Sequence, residues 1–289
     1  MFPARFDYHA PTDLEEAVAL LSQDEEAKVL AGGQSLIPMM KLRFATPGIL
    51  IDLNGIPHMD VITATRGGNL LIGAMARHNQ LAASTLLRTS CPIMTTAAPL
   101  IADPIVRNRG TIGGSLAHAD PAGDWGSVLL ALGAEVVARS ARGERVLPVS
   151  DLLVDVFTTS LQADEIITEI RIPKPRGPSG GTYLKLERKV GDFATVGAAV
   201  QMEMNNGSIA RAGIALTAVG ARNVQAREAE DALAGAEPTP EAFEEAARLA
   251  ADAADPVSDL RGPAEYKRSI VETFVKRGLS TAHRMASAV

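Results

Sequence analysis

Two glycine-rich segments carry the residue types best suited to chemistry in this chain: Ala31-Gly32-Gly33-Gln34-Ser35-Leu36 and Arg109-Gly110-Thr111-Ile112-Gly113-Gly114-Ser115. Adjacent glycines let the backbone turn so that successive N–H groups converge on an anion. Ser35, Thr111 and Ser115 add hydroxyl donors. Either segment alone reads equally well as a tight turn. The pair, alike in chemistry and far apart in the chain, suits a clamp on the two phosphates of a dinucleotide. Neither segment has the G-x-G-x-x-G spacing, and no Gly-Lys-Ser/Thr follows either, so the Rossmann and Walker A loops are both excluded. A nucleophile elbow around Ser115 is disfavoured, because Ala117 replaces its final glycine.

Asp124 follows the second loop in Asp120-Pro121-Ala122-Gly123-Asp124. It could accept hydrogen bonds from sugar hydroxyls, or cap a helix running through Val128, Leu129 and Leu132. His118 is assigned no role. Residues 185–193, Lys185-Leu186-Glu187-Arg188-Lys189-Val190-Gly191-Asp192-Phe193, read on their own as a strand and turn facing water.

Other chemistry is limited by composition. Lys+Arg is 28 and Asp+Glu is 34, a net charge of −6, which argues against a nucleic-acid footprint. Aromatic residues are only 4%, leaving few stacking platforms. The single cysteine, Cys91, excludes an internal disulfide framework or a cluster held by this chain's own thiolates. The five histidines, at 9, 58, 78, 118 and 283, have no metal-ligand spacing, so no metal site is expected. No apolar h-region or run of ~18 apolar residues is present, so neither a signal peptide nor a membrane span is expected. The expected location is the cytoplasm.

The elements that must hold the two loops can be sketched. At 289 residues the chain has room for about two domains of ~100–200 residues. Thr12-Asp13-Leu14-Glu15 reads as a capping box, with Leu14, Val18 and Leu21 on one helical face. Apolar runs at 28–31 and 49–53 are continuous rather than alternating, as strands of a small parallel sheet are. Residues 1–57 therefore form a βαβ-type lobe. Strands follow at 69–74, 134–139 and 166–172, with helices about 78–88 and 92–102 between them. The Pro/Gly cluster from 173 to 181 marks a domain boundary. Beyond it, Asn205-Asn206-Gly207 reads as a hairpin turn between two strands in an antiparallel sheet. Helices are expected at 222–234, 240–253 and 263–286, with Pro263 in the first turn of the last.

The glycine loops, in that order, resemble those of the FAD-binding medium subunit of the xanthine oxidase family of molybdenum hydroxylases. The match is nearest to the carbon monoxide dehydrogenase branch. The resemblance runs nearly end to end. It includes Phe6-Asp7-Tyr8, Ile37-Pro38-Met39-Met40-Lys41 after the first loop, Ile72-Gly73-Ala74-Met75, Ile101-Ala102-Asp103-Pro104, Arg107-Asn108, Lys185-Leu186-Glu187-Arg188-Lys189, Gly191-Asp192-Phe193-Ala194 and Arg261-Gly262-Pro263-Ala264-Glu265-Tyr266.

The resemblance implies an α+β fold: a two-lobed, vanillyl-alcohol-oxidase/PCMH-type FAD-binding domain at 1–176, with lobes 1–57 and 58–176, then a three-stranded antiparallel sheet plus helical bundle at 177–289. It implies non-covalent FAD held by Ala31, Gly32, Gly33, Gln34 and Ser35, flanked by Val29, Leu30 and Leu36. Thr111, Ile112, Gly113, Gly114 and Ser115 form the opposing loop. Asp124 holds an FAD hydroxyl, Ile101 and Ile167 lie against the cofactor, Lys185 is near it, and Phe193 lies by the isoalloxazine ring. No acid–base catalyst is implied. Partner chains carry the other centres: a small subunit with [2Fe–2S] clusters and a large molybdopterin subunit, in a dimer of heterotrimers that delivers electrons to an external acceptor such as a quinone. Three positions depart from the family: Gln34 where His is common, Ala76-Arg77 for a Thr-Thr pair, and Phe193 for a frequent Tyr. A stand-alone FAD oxidoreductase and a flavin-free assembly protein are the alternative readings.

Overall fold

The apolar runs near the N-terminus form strands buried by their neighbours. In the computed structural model, which describes residues 2–288, β1 (Asp7–His9) and β2 (Lys28–Leu30) both pair in parallel with β3 (Ile49–Asp52). Helices α1 (Leu14–Leu21) and α2 (Leu36–Lys41) connect them. Ala17, Val18 and Leu21 of α1 pack on Ile51 and Leu53 in this lobe's core. The α1 cap is Asp13 rather than Thr12, because the Asp13 carboxylate accepts from the Glu16 amide at 2.8 Å. A carboxylate is the stronger partner for amides at a helix N-terminus.

The second lobe is built on a five-stranded antiparallel sheet. Its strands are β4 (Ile62–Ala64), β5 (Leu70–Gly73), β6 (Glu135–Ser140), β7 (Gly143–Pro148) and β10 (Ile166–Ile172), in the order β4-β5-β10-β6-β7. Between β5 and β6 run α3 (His78–Ala83), α4 (Thr85–Ser90), α5 (Pro92–Ala97), α6 (Pro104–Arg109), α7 (Ile112–His118) and α8 (Asp124–Leu132). The single helix expected at 78–88 is thus two. Ser84 turns extended and its Oγ accepts from the Leu87 amide at 3.2 Å, restarting the helix. The helix expected at 92–102 ends as α5 plus one 3-10 turn, Ala98–Leu100. After β7 come α9 (Val149–Leu152) and a small hairpin of β8 (Leu153–Asp155) and β9 (Thr158–Thr159).

The C-terminal sheet has four strands, not three: β11 (Ser179–Leu186), β12 (Val196–Asn205), β13 (Ser208–Thr217) and a two-residue edge strand β14 (Val224–Gln225). The β12–β13 turn is where the sequence places it, with Asn206 and Gly207 both left-handed at φ +49° and +86°. Residues 222–226 belong to β14 and its approach, so α10 starts only at Arg227 (Arg227–Leu233). α11 (Pro240–Asp252) and α12 (Ala264–Ser287) complete the bundle, and Pro263 is the cap of α12 rather than its first residue.

Period-2 alternation explains how this sheet is used. Val196, Ala198, Val200 and Met202 of β12 face a core shared with Val271, Val275 and Leu279 of α12. Their neighbour Ala199, with Ala215 of β13 and Tyr183 of β11, faces the opposite way into the core of the second lobe. There α8 packs on β12 and β13. Both faces are covered, so β12 reads as a near-continuous apolar run.

Candidate functional site

The first glycine loop connects β2 to α2. Gly33 takes φ +72°, a left-handed conformation that glycine adopts without strain. Gly32 is required for a close approach: a Cβ there would lie 2.5 Å from the Arg109 carbonyl oxygen and 2.7 Å from Gly110 Cα. The two glycine loops therefore touch backbone to backbone. The amides of residues 32–35 donate to no protein acceptor among the described residues. Ser35 stands at the N-terminus of α2 with no side-chain cap bond, and it is exposed. A row of unspent N–H groups leading into a helix N-terminus is what an anionic diphosphate needs. Gln34 folds back on its own loop, its amide donating to the Gly32 carbonyl at 3.3 Å.

The second loop differs from expectation. Its amides do not converge on open space. Ile112 donates to the Ala76 carbonyl at 3.1 Å, Gly113 to the Ala74 carbonyl at 2.8 Å and Ser115 to the Thr111 carbonyl at 3.0 Å. Gly114 donates to the Thr111 hydroxyl oxygen at 3.2 Å, which caps α7. The glycines serve packing: a Cβ at Gly113 would stand 2.5 Å from Ala74 Cβ. At Gly114 it would stand 2.7 Å from the Thr111 hydroxyl oxygen. The half-buried Ser115 hydroxyl remains available. Ile112 and Ile167 are buried in the core of the second lobe.

Asp124 and Lys185 are brought together and turned inward. Asp124 is the first residue of α8, not its cap, and is only 6% exposed. Tyr183 and Lys185 share one face of β11 by the two-residue period. The Tyr183 hydroxyl donates to Asp124 Oδ1 at 2.6 Å, and Lys185 Nζ donates to Oδ2 at 3.0 Å. Thr217 meets the Tyr183 hydroxyl at 3.2 Å and also Ser127 of α8. The Lys185 side chain is 2% exposed, so this lysine does not face water as a charge run suggests. Burial raises the Asp124 carboxyl above its ordinary range, against the lowering effect of the Lys185 charge. Burial and the adjacent Asp124 charge push the Tyr183 phenol well up. Lys185 Nζ also donates to the Leu100 carbonyl at 2.9 Å. The pair thereby holds the segment bearing Ile101. Arg107 holds it from the other side, donating to the Ile101 and Ala102 carbonyls at 3.0 and 2.6 Å.

Phe193 is 55% exposed at the end of a loop that leans on the same segment. A Cβ at Gly191 would lie 3.0 Å from the Ala102 carbonyl oxygen. Arg261 reaches over from the C-terminal region to donate to the Phe193 carbonyl at 2.6 Å and to Asp192 at 3.2 Å. Among the described residues no group of His, Cys, Asp or Glu is placed to hold a metal ion. None of their helices is long and apolar enough to cross a membrane.

Sequence reasoning gave no role to His78 and named Arg77 only as a departure from the family pattern. His78 accepts from Trp125 Nε1 through Nδ1 at 3.0 Å, while its Nε2 faces Gly110, where a Cβ would come within 2.6 Å. Burial, with the Arg77 and Arg107 charges, lowers this imidazole to about 4, so it is neutral. Arg77 donates to the Arg109 carbonyl and to Asn54 Oδ1. No spacing rule in the sequence points to either contact.

Residues 4–175 match the family described as FAD binding domain in molybdopterin dehydrogenase. Residues 181–282 match the CO dehydrogenase flavoprotein C-terminal domain. The chain is 43% identical over 283 residues to the carbon monoxide dehydrogenase medium chain of Hydrogenophaga pseudoflava, covering 98% of each. It is 38% identical to the nicotine 6-hydroxylase medium subunit of Paenarthrobacter nicotinovorans, covering 95% of this chain and 96% of that one. Its fold superimposes on the solved Hydrogenophaga carbon monoxide dehydrogenase chain with a TM-score of 0.95 at 44% identity, over 99% of both. These matches give no support to a stand-alone oxidoreductase or a flavin-free assembly protein. With two glycine loops in backbone contact and family matches over both halves, this chain belongs to the FAD-binding medium subunits of the molybdenum hydroxylases, in the xanthine oxidase family.

Proposed function

We propose that this chain is the FAD-carrying subunit of a carbon monoxide dehydrogenase-like molybdenum hydroxylase, passing electrons from [2Fe–2S] clusters on a partner subunit to an external acceptor. The observation that carries this reading is the row of unspent amides at 32–35, set against a second loop that closes the far side. Held there, FAD would supply the electron-carrying chemistry between the clusters and an acceptor such as a quinone. The protein's own part is positioning. Residues 32–35 and the Ser115 hydroxyl hold the diphosphate, with Val29, Leu30 and Leu36 alongside. The Asp124–Lys185 pair keeps the Leu100 carbonyl, and with it Ile101, at a fixed distance from the C-terminal sheet. Phe193, exposed on its loop, would lie beside the isoalloxazine ring. No side chain acts as an acid–base catalyst.

The same reading assigns residues 1–176 to FAD binding and 177–289 to the C-terminal domain. It places the chain with a small iron–sulfur subunit and a large molybdenum subunit in a cytoplasmic dimer of heterotrimers. Substrate is oxidised on the large subunit, and the relatives' names range from carbon monoxide to nicotine. Purified protein is expected to be yellow, to release FAD on denaturation, and to lose it in Gly33→Val. A colourless protein that cannot be reconstituted with FAD overturns the proposal. Isolation as a monomer turning over its own substrate overturns the subunit assignment.

A further inference from the structure

Arg77 stands where the two lobes meet. Its backbone forms an isolated antiparallel bridge with Thr111 of the second glycine loop. On either side of that bridge the His78 amide donates to the Gly110 carbonyl, and the Ile112 amide to the Ala76 carbonyl, both at 3.1 Å. One guanidinium nitrogen, Nη1, donates to the Arg109 carbonyl, the atom over which Gly32 is packed. The other, Nη2, donates to Asn54 Oδ1 in the N-terminal lobe. Asn54 in turn donates through Nδ2 to the Ala31 carbonyl at 3.0 Å, at the entrance to the first glycine loop. Asp52 anchors Asn54, accepting from its amide at 2.9 Å, and Tyr8 anchors Asp52 with a 2.6 Å hydrogen bond.

The side chain therefore closes a circuit: Ala31 carbonyl, Asn54, Arg77, Arg109 carbonyl, and back to Gly32 by contact. Nη1 and Nη2 of the planar fork are each engaged on a protein acceptor, one in each lobe. A fork that fixes two acceptors at once sets their separation as well as their attraction. A lysine ammonium offers its donors from a single nitrogen, so it cannot span two acceptors set apart by the separation of Nη1 and Nη2.

We propose that Arg77 is a positioning residue that fixes the gap between the two glycine loops, and so the affinity for the FAD diphosphate, without touching FAD itself. This rests on the reading that the loops hold FAD.

The test measures FAD release and rebinding by flavin fluorescence on the intact assembly that carries this chain. Arg77→Met is expected to weaken FAD about tenfold to a hundredfold, the scale of losing charge-assisted hydrogen bonds. Arg77→Lys should recover only part of the loss. Asn54→Ala should weaken FAD in the same direction, and the double variant should be no weaker than the poorer single, because both cut one circuit. The slope of log Kd against log salt should stay at the wild-type value in Arg77→Met, since the guanidinium is not a phosphate ligand. Binding within twofold of wild type in Arg77→Met, full additivity with Asn54→Ala, or a flattened salt slope each overturns the strap. Should Arg77→Met fail to fold, Asn54→Ala, which keeps the arginine, decides alone: unchanged FAD affinity there refutes the proposal. Wild-type protein that takes up no FAD removes the underlying reading and the strap with it.

Discussion

Replacing Lys185 by methionine tests the buried seam between the flavin domain and the C-terminal sheet. The Lys185 ammonium has two hydrogen-bonding partners at 3.0 and 2.9 Å, Asp124 Oδ2 and the Leu100 carbonyl, and its side chain is 2% exposed. Methionine fills similar space without the charge. It leaves the Asp124 carboxylate, itself 6% exposed, with Tyr183 as its remaining side-chain donor. Removing one partner of a buried pair costs about 3–5 kcal/mol, because the other charge stays desolvated. For a chain of 289 residues that lowers Tm by roughly 5–8 °C. The sign of the pH dependence follows from Asp124. Burial already raises its carboxyl in the wild type, and losing Lys185 removes the opposing influence. A group whose folded-state pKa is raised is stabilising in its protonated state below its ordinary value, roughly 3.9, and that stability is lost as pH rises through the folded value. The deficit of Lys185→Met should therefore be larger at pH 8 than at pH 5. Replacing both partners, Asp124→Leu with Lys185→Met, should recover part of the loss. Calorimetry at both pH values, with flavin release read alongside, gives the answer. A deficit under about 1 kcal/mol, or one that does not change with pH, would refute the claim that this pair is an interior charge pair.

Three further outcomes are expected. Gly32→Ala forces a Cβ to 2.5 Å from the Arg109 carbonyl oxygen and should speed FAD release at least tenfold, whereas Gly48→Ala, with nothing within 4 Å, should leave it unchanged; fluorescence of released flavin compares them. His78 is held neutral at about 4, below its ordinary 6.5, so its contribution is present above 6.5 and lost as pH falls toward 4. Urea melts should lose up to about 3 kcal/mol over that window, and His78→Gln, which keeps an acceptor for Trp125, should flatten the slope. Cys91 is buried and its thiol is pushed up to about 12, so a thiol reagent should label it only on unfolding; labelling of the native protein at pH 8 would contradict the packing.

Local chemistry was legible in the sequence wherever it depends on neighbours in the chain. The Asn206-Gly207 turn, the short parallel lobe and the glycine loops are all set by backbone freedom and hydrophobic pattern over a few residues. The break at Ser84 was not legible, because it ends a helix that the apolar pattern would continue, whereas the new start at Pro92 was. Lys185 was misread for a related reason. A charged run faces water unless a distant carboxylate offers a partner, and Asp124 lies on another element, 61 residues away. Tyr183 gave a usable signal, since residues two apart on a strand share a face, but only the sheet's two-sided burial says which face matters.

The glycine loops illustrate how far a motif can be taken. Similar composition suggested similar jobs, yet only the first loop keeps its amides free. The second spends them on Ala74, Ala76 and Thr111, so its glycines are there to let backbones approach. Binding and closure are thus divided between the two lobes. A site divided this way depends on whatever fixes the lobes relative to one another. The residues doing so, Arg77 and Asn54, lie outside both motifs, as do Lys185 and Asp124, which tie the second lobe to the C-terminal sheet. Substitutions in the loops should therefore act on the cofactor's affinity directly, while substitutions in these four side chains reach it through geometry.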